Sequence, residues 1–340
     1  MQFQSTFLSL FSAILVAQSV VATASPSPEP GIKDSIKAVF GNKGDKTVKT
    51  LDANLLPNLQ YYAQFSAAAY CDPLNKVDTR THCTANACPL VTSNPVHTLY
   101  TFANTDHADT TGFIARDDST KNIVLTFRGS SSIRNWIQNA QFGLDEVKYC
   151  SGCKAHKGFL KGFEGVWSTI WKQLESAVKA NPEYGIVTTG HSLGGAMATF
   201  AATEMRATGK KVTLYTYGAP RVGNVAFSDH ITQSGENYRV AHLDDPVVRV
   251  PPTMMGYGYI SPEYHIKKGN TASEVTEKDI DVIENPSGEL KGLDFDQHAW
   301  YLTNTPISKC KPEGGIELRD VRLRRSELKW TRSDMSVDME

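Results

Sequence analysis

The sequence predicts an α/β fold with a central, mostly parallel sheet flanked by helices. Short runs rich in β-branched and aromatic residues alternate with segments of helical periodicity, and this alternation favours a parallel sheet. Helices are predicted over 55–70 and over 160–180, where Phe163, Ile170 and Leu174 repeat at helical spacing. The chain has 340 residues, 40% of them apolar, so it can bury a large core. The predicted strands lie at 97–103, 112–116, 122–128, 184–189, 211–217 and 237–243.

Both ends of the chain are expected to lie outside the folded domain, which is predicted over 51–310. Residues 1–24 are typical of a secretory signal peptide, with an apolar stretch that ends in small residues. A membrane anchor is the alternative, but the stretch is short and interrupted by polar residues. Residues 25–50 are rich in Pro, Gly and Lys and predict a linker or pro-segment. Residues 311–340 contain seven basic and seven acidic residues and predict a flexible, solvated tail.

Charge and cysteine content narrow the class of protein. The net charge of −1 offers no field that would attract nucleic acid. No segment after the first could span a bilayer, so stable membrane insertion is not expected, and no protein partner is implied.

An even number of cysteines in a secreted chain predicts three disulfides, for which 15 pairings are possible. The six cysteines are Cys71, Cys83, Cys88, Cys150, Cys153 and Cys310.

The segment GHSLGG at 190–195 is the strongest signal of chemistry. Gly190, Ser192 and Gly194 match the pattern G-x-S-x-G, which forms a sharp turn that exposes a serine nucleophile between a strand and a helix. The predicted strand 184–189 precedes the pattern and an alanine-rich helical stretch follows it. The alternative, a glycine-rich turn with an ordinary serine, does not require this order of elements.

A serine hydroxyl is a weak nucleophile, and it needs a base that is oriented by a carboxylate. In the α/β-hydrolase layout the acid and then the histidine follow the serine along the chain. Asp244 and Asp245 both follow a predicted strand, and spacing alone does not choose between them. His298, the last histidine, is favoured over His265, which is equally compatible with a partly exposed strand position.

The same chemistry needs two backbone N–H groups that stabilise the oxyanion. One is expected from Leu193, which follows the serine. The other is expected from Ser130 on the loop after the predicted strand 122–128, where Gly129 permits close approach.

Ile133, Trp136 and Ile137 form an apolar stripe just beyond this loop. Such a stripe usually packs into a core. Beside an oxyanion loop, it predicts a short helical lid over an apolar pocket.

From about residue 55 to 310, the chain resembles the secreted fungal lipases of the class 3 lipase family. FRGSSSIRNW resembles the family's oxyanion strand and lid, and GHSLGG resembles its nucleophile elbow. YGAPRVGN at 217–224 is similar to a further family signature. The resemblance implies an α/β-hydrolase fold with a short helical lid.

The resemblance also assigns individual residues. In LDDPVVRVPP it implies Asp245 as the acid, and in DQHAWYL it implies His298 as the base. AAAYCD places Tyr70 where the family has a tyrosine near the active site. His265 stands where several relatives have an aromatic residue and is a candidate for the substrate pocket. One branch of the family implies the disulfides Cys71–Cys310, Cys83–Cys88 and Cys150–Cys153.

The function implied is that of a secreted triacylglycerol lipase, which cleaves fatty-acid esters of glycerol at oil–water interfaces through an acyl-enzyme. No metal or cofactor is needed for this chemistry. A mono- or diacylglycerol lipase is a close alternative. A feruloyl esterase or general carboxylesterase would share the triad, but Trp136 in the lid favours lipid. A non-catalytic binding protein would be expected to lack a triad member, and none is missing.

Overall fold

A computed structural model describes residues 47–74, 76–104, 110–130, 142–288 and 295–310. The expected signal peptide, the linker up to residue 46 and the charged tail lie outside these residues. A short strand, Val48–Thr50, lies within the last residues of the expected linker, so secondary structure is present before residue 51. Polar or lysine-rich composition does not prevent three residues from pairing at the edge of a sheet.

The described chain contains both α-helices and β-strands. The helices are α1 (Leu56–Ala68), α2 (Pro89–Ser93), α3 (Lys157–Ala180), α4 (Leu193–Ala207) and α5 (Val225–Gln233). The strands are β1 (Val48–Thr50), β2 (Val96–Asn104), β3 (Thr110–Asp117), β4 (Asn122–Phe127), β5 (Leu144–Glu146), β6 (Lys154–His156), β7 (Gly185–His191), β8 (Thr213–Tyr217), β9 (Asn237–His242), β10 (Glu263–Ile266) and β11 (Ile280–Ile283).

Nine of the described strands form one sheet in the order β1-β11-β10-β9-β8-β7-β4-β3-β2. The five central strands, β10, β9, β8, β7 and β4, pair in parallel. The flanking strands pair antiparallel on both sides. The carboxyl ends of the central strands therefore meet along one edge, where ligands bind in open α/β sheets. The predicted α/β-hydrolase fold with a mostly parallel sheet is confirmed. Strands β5 and β6 form a separate hairpin.

Both faces of the sheet are covered by apolar helices. On one face, α3 and α4 bury residues such as Ile170, Leu174 and Phe200 against β3, β4 and β8. On the other face, α1 buries Tyr62 and Phe65 against β7 and β8. Parallel strands covered on both faces are built from nearly continuous apolar residues, as β4 (NIVLTF) illustrates.

Three disulfides tie the periphery to this core: Cys71–Cys310, Cys83–Cys88 and Cys150–Cys153. They are the pairs that the family resemblance implies. The first closes a loop of 239 residues and joins the segment after α1 to the last described residue. In the chain-entropy description of disulfides, such a loop contributes about 5 kcal/mol by restricting the unfolded chain.

Within the described ranges, no helix is both long enough and apolar enough to cross a membrane.

Candidate active site

Ser192 lies in a tight turn between β7 and α4. Its backbone has φ +60° and ψ −131°, a conformation that is costly for a residue with a side chain. The neighbouring glycines make the turn possible. A methyl group on Gly190 would lie 2.3 Å from the Gly194 carbonyl oxygen, and one on Gly194 would lie 2.2 Å from the Phe127 carbonyl oxygen. The glycines of GHSLGG are therefore required by close packing of the turn against β4.

His298 and Asp245 come from two other segments and meet beside this turn. The His298 Nδ1 lies 2.8 Å from the Asp245 Oδ2, and both side chains are buried. Asp245 also accepts hydrogen bonds from the Val247 N–H at 2.8 Å and from the Tyr301 hydroxyl. The structure thus brings Asp245 to His298, in agreement with the family resemblance, where spacing left Asp244 and Asp245 open.

Two reactive atoms are buried without a hydrogen-bond partner among the described residues: the Ser192 Oγ and the His298 Nε2. Because Asp245 accepts the Nδ1 proton of His298, the Nε2 atom carries the lone pair of a neutral ring. Gly218 lies close to the pair, since a methyl group there would be 3.0 Å from the His298 Cε1 and 3.1 Å from the Asp245 Oδ2. A serine nucleophile needs a basic nitrogen that can take its proton, and these two unpartnered atoms are the candidates for that pair.

The loop after β4 lies against the serine. A methyl group on Gly129 would be 3.0 Å from the Ser192 Cβ, so Gly129 lies beside the serine, and Ser130 follows it in the chain. Leu193 begins α4. N–H groups in the first turn of a helix have no partner within the helix, and the helix dipole favours negative charge there. The two segments are therefore suited to stabilise an oxyanion.

Tyr70 and His191 connect this loop to the segment that carries His298. The Tyr70 hydroxyl accepts a hydrogen bond from the Gly129 N–H and lies 2.8 Å from the His191 Nδ1. The His191 Nε2 lies 2.9 Å from the His298 carbonyl oxygen, which can only accept a hydrogen bond. His191 therefore donates from Nε2 and accepts the Tyr70 proton at Nδ1. Burial raises the pKa of Tyr70 well above its ordinary value, which keeps the hydroxyl protonated for this bond.

His265 lies elsewhere. It is on β10, and its Nδ1 is 3.4 Å from the Glu263 carboxylate. Among the contacts of the described residues, none joins His265 to Ser192, Asp245 or His298. Its surroundings are a charged cluster, so the expected place in the substrate pocket is not supported by its contacts. The lid residues Ile133, Trp136 and Ile137 lie outside the described residues.

Sequence reasoning missed three residues that contact the predicted acid or base: His191, Gly218 and Tyr301. His191 immediately precedes Ser192 in GHSLGG, and Tyr301 follows His298 by three residues in DQHAWYL. Their proximity in sequence to predicted site residues could have marked them, because neighbours of a constrained residue often orient it. Gly218 lies in YGAPRVGN with φ +60°, a backbone conformation that favours glycine.

The chain is similar to a family of known proteins. The family model "Lipase (class 3)" matches residues 124–255. Secreted mono- and diacylglycerol lipase 1 of Fusarium solani is 38% identical over 305 residues, which cover 88% of this chain and 89% of that protein. A lipase of Rhizopus oryzae is 32% identical over 266 residues, which cover 76% of this chain and 66% of that protein. The crystal structure of a mutant form of MDLA from Penicillium cyclopium has a TM-score of 0.72 at 37% identity and covers 77% of this chain and all of that one.

Proposed function

The chain is a secreted lipase that belongs to the class 3 lipase family, and we propose that Ser192, His298 and Asp245 form its catalytic triad. One observation carries this proposal. The Ser192 Oγ and the His298 Nε2 are buried and have no partner in the described protein, while the other nitrogen of His298 faces Asp245.

The proposed reaction proceeds through an acyl-enzyme. The Ser192 Oγ attacks the ester carbonyl carbon, and the His298 Nε2 takes the hydroxyl proton. The N–H groups of Leu193 and Ser130 stabilise the oxyanion, and His298 then gives its proton to the departing alcohol. A water molecule, deprotonated by His298, releases the fatty acid. Asp245 stabilises the imidazolium in both halves, and the Tyr301 hydroxyl and Val247 N–H hold its carboxylate in place.

Ser192→Ala tests the proposal directly. The variant should lose at least about three orders of magnitude in kcat, because the members of a triad act as a unit. A serine-directed phosphonate should label the parent protein at Ser192 and nowhere else. Labelling at another serine, or near-normal turnover by the variant, would refute the assignment.

Mono- and diacylglycerols are the substrates that we propose. The supporting observation is the higher identity to relatives named as mono- and diacylglycerol lipases, 38%, compared with 32% to the Rhizopus oryzae lipase. Hydrolysis of triacylglycerols, the function first implied by the resemblance, is the second candidate, and the Rhizopus oryzae relative is named as a lipase without a stated glyceride. A feruloyl or general carboxylesterase would use the same triad.

An emulsion assay separates these substrates. Rates are compared for a monoacylglycerol, a diacylglycerol and a triacylglycerol of the same acyl chain, with methyl ferulate as a non-lipid ester. Faster turnover of the partial glycerides supports the proposal, and equal or faster turnover of the triacylglycerol contradicts it. Hydrolysis of methyl ferulate alone would favour the esterase.

Ile133, Trp136 and Ile137 are proposed to contact the oil–water interface, where tryptophan is favoured.

A further inference from the structure

His242 is a buried histidine at the end of β9 to which the triad assigns no role. It is three residues before Asp245, and its carbonyl oxygen accepts the Asp245 N–H at 2.9 Å. Its Nδ1 lies 3.0 Å from the carbonyl oxygen of Gln297, and its Nε2 lies 2.8 Å from the carbonyl oxygen of Gly269. Gln297 immediately precedes His298. The ring of His242 therefore joins the acid's segment to the base's segment.

The chemistry of the two partners restricts the state of the ring. A carbonyl oxygen accepts hydrogen bonds and cannot donate one, and a neutral imidazole has one N–H and one lone pair. A neutral His242 would point its lone pair at one of the two carbonyl oxygens at close range. A doubly protonated ring would donate to both, and hydrogen bonds from a charged donor are the stronger kind.

The structure assigns to His242 the role of a positioning residue, in which a doubly protonated ring holds the backbone of the His298 segment. This inference rests on the proposed triad. A buried charge needs compensation, and two carbonyl dipoles supply part of it. The ionisable groups close by include Tyr301, whose ring is 5.8 Å away and steeply inclined, and Asp245, which accepts the Tyr301 hydroxyl. The charge of Arg239 also acts on the Tyr301 hydroxyl, and Arg239 is itself paired with Glu263. The negative charge of Asp245 favours a cation nearby.

His191 provides the contrast within the same site. It holds the carbonyl of His298 from the serine's segment, as His242 holds the carbonyl of Gln297 from the acid's segment. The second partner of His191 is a hydroxyl, which can donate, so one proton on its ring suffices. The consecutive carbonyl groups of Gln297 and His298 are thus held from two other segments. The cationic ring of His242 holds the first, and the neutral ring of His191 holds the second.

The state of the ring is measurable in the parent protein without any activity. In histidine-selective ¹⁵N NMR at neutral pH, His242 should show two protonated nitrogens with slowly exchanging N–H protons, and His191 should show one. The resonances are assigned by their loss in His242→Gln and His191→Gln, or by through-bond correlation in the parent if a variant fails to fold. One protonated nitrogen at His242 would overturn the assigned state.

The positioning role is measured by kinetics. In His242→Gln one amide nitrogen replaces two ring nitrogens, so one of the two carbonyl oxygens loses its donor. A resulting shift of the His298 backbone by a fraction of an ångström should lower kcat by about ten- to a hundredfold. KM should stay unchanged, and labelling by the phosphonate should slow by the same factor as kcat, since labelling also needs His298 as base. His230→Gln is the matched control, because His230 lies on α5 and packs on Tyr149.

Three results decide the matter. A folded His242→Gln with kcat and labelling rate within about twofold of the parent would overturn the positioning role. An equal loss in His230→Gln would also overturn it, because the effect would then follow from losing any histidine. If the phosphonate fails to label Ser192 in the parent, the proposed triad fails, whereas the NMR measurement still decides the state of His242.

Discussion

Asp245 and Glu263 are both fully buried carboxylates near the ends of neighbouring parallel strands, yet their partners differ in kind. Asp245 is held by a histidine ring, a tyrosine hydroxyl and a backbone N–H. Glu263 is held by the guanidinium groups of Arg239 and Arg249, the latter through two bonds of 2.9 and 3.0 Å.

The difference shows what each carboxylate can do. The charge of Glu263 is already neutralised by two permanent cations, so the group is a cross-link between β9, β10 and the turn after Asp245. The charge of Asp245 is stabilised by partners that carry no permanent charge. In the proposed reaction it remains available to stabilise a positive charge that forms on His298. Removing Asp245 should therefore lower the rate, and removing Glu263 should lower the stability.

The largest effect is expected for Asp245→Asn. The amide cannot stabilise the imidazolium and favours the wrong tautomer of His298, so kcat should fall by about four orders of magnitude while the melting temperature changes little. Asp244→Asn is the matched control and should keep kcat within about threefold. A larger loss in Asp244→Asn than in Asp245→Asn would show that the acid is misassigned.

Glu263→Gln should reverse this pattern. Breaking a buried ion pair by removing one partner leaves charge uncompensated and typically costs about 3–5 kcal/mol of unfolding free energy. Because Arg239 also donates to the Val248 carbonyl, the turn that carries Asp245 keeps one of its anchors. We therefore expect kcat per phosphonate-titrated site to stay within about threefold.

Glu175→Gln is the control for stability, since Glu175 pairs with Lys179 on the surface of α3 at 3.2 Å. Such exposed pairs contribute less than about 1 kcal/mol. Denaturant unfolding gives the free energies. If Glu263→Gln loses activity as severely as Asp245→Asn, the two carboxylates do not have separate roles.

The contrast also explains what the sequence could predict. The turn at Ser192 was predictable because the glycines and the serine that form it lie within six consecutive residues, although Gly194 is also required by contact with β4. Its flanking strand and helix follow from local periodicity, and the predicted 184–189 and 160–180 agree with β7 and α3 within a few residues. The choice between Asp244 and Asp245 was not predictable from spacing, because a shift of one residue changes the direction of a side chain without changing the pattern.

Strand β10 was missed for a related reason. Its sequence EYHI contains a carboxylate, Glu263, and a histidine, His265, within four residues, which is typical of a loop. Glu263 becomes a buried strand residue only because two arginines, at positions 239 and 249, reach it from other segments. The contacts of His191 and His242 with the segment of His298 likewise span 107 and 55 residues along the chain, so no local pattern contains them.

A pH titration of stability extends the comparison. The two guanidinium groups and His265 hold the pKa of Glu263 well below its usual range, although burial alone would raise it. The folded state therefore keeps the carboxylate ionised at pH values where the unfolded chain, with a pKa of about 4.3, takes up a proton. The stability that Glu263 contributes is complete above that value and is lost as the pH falls below it.

Unfolding of the parent and of Glu263→Gln should be compared between pH 6 and pH 2. The difference in unfolding free energy between the two proteins should shrink as the pH falls below about 4.3. A difference that stays constant across this range would mean that the ion pairs do not hold the pKa of Glu263 down.

The smallest effect is expected from His156, a buried ionisable group without a charged partner. Its Nδ1 accepts the Phe159 N–H at 3.2 Å at the start of α3, its ring stacks on Phe159, and its Nε2 has no partner among the described residues. Burial lowers the pKa of His156 to about 4. The unfolded chain therefore binds a proton below about pH 6.5, which the folded protein takes up only near pH 4, and stability falls as the pH drops through this window. The loss should not exceed about 3 kcal/mol.

In His156→Asn the side chain can still cap the helix but cannot titrate, so the variant should be less stable near neutral pH and have a flatter profile between pH 6.5 and pH 4.5. That window lies above the titration of Glu263, so the two groups are measured separately. Parallel profiles for the parent and His156→Asn would show that His156 is not held neutral by burial.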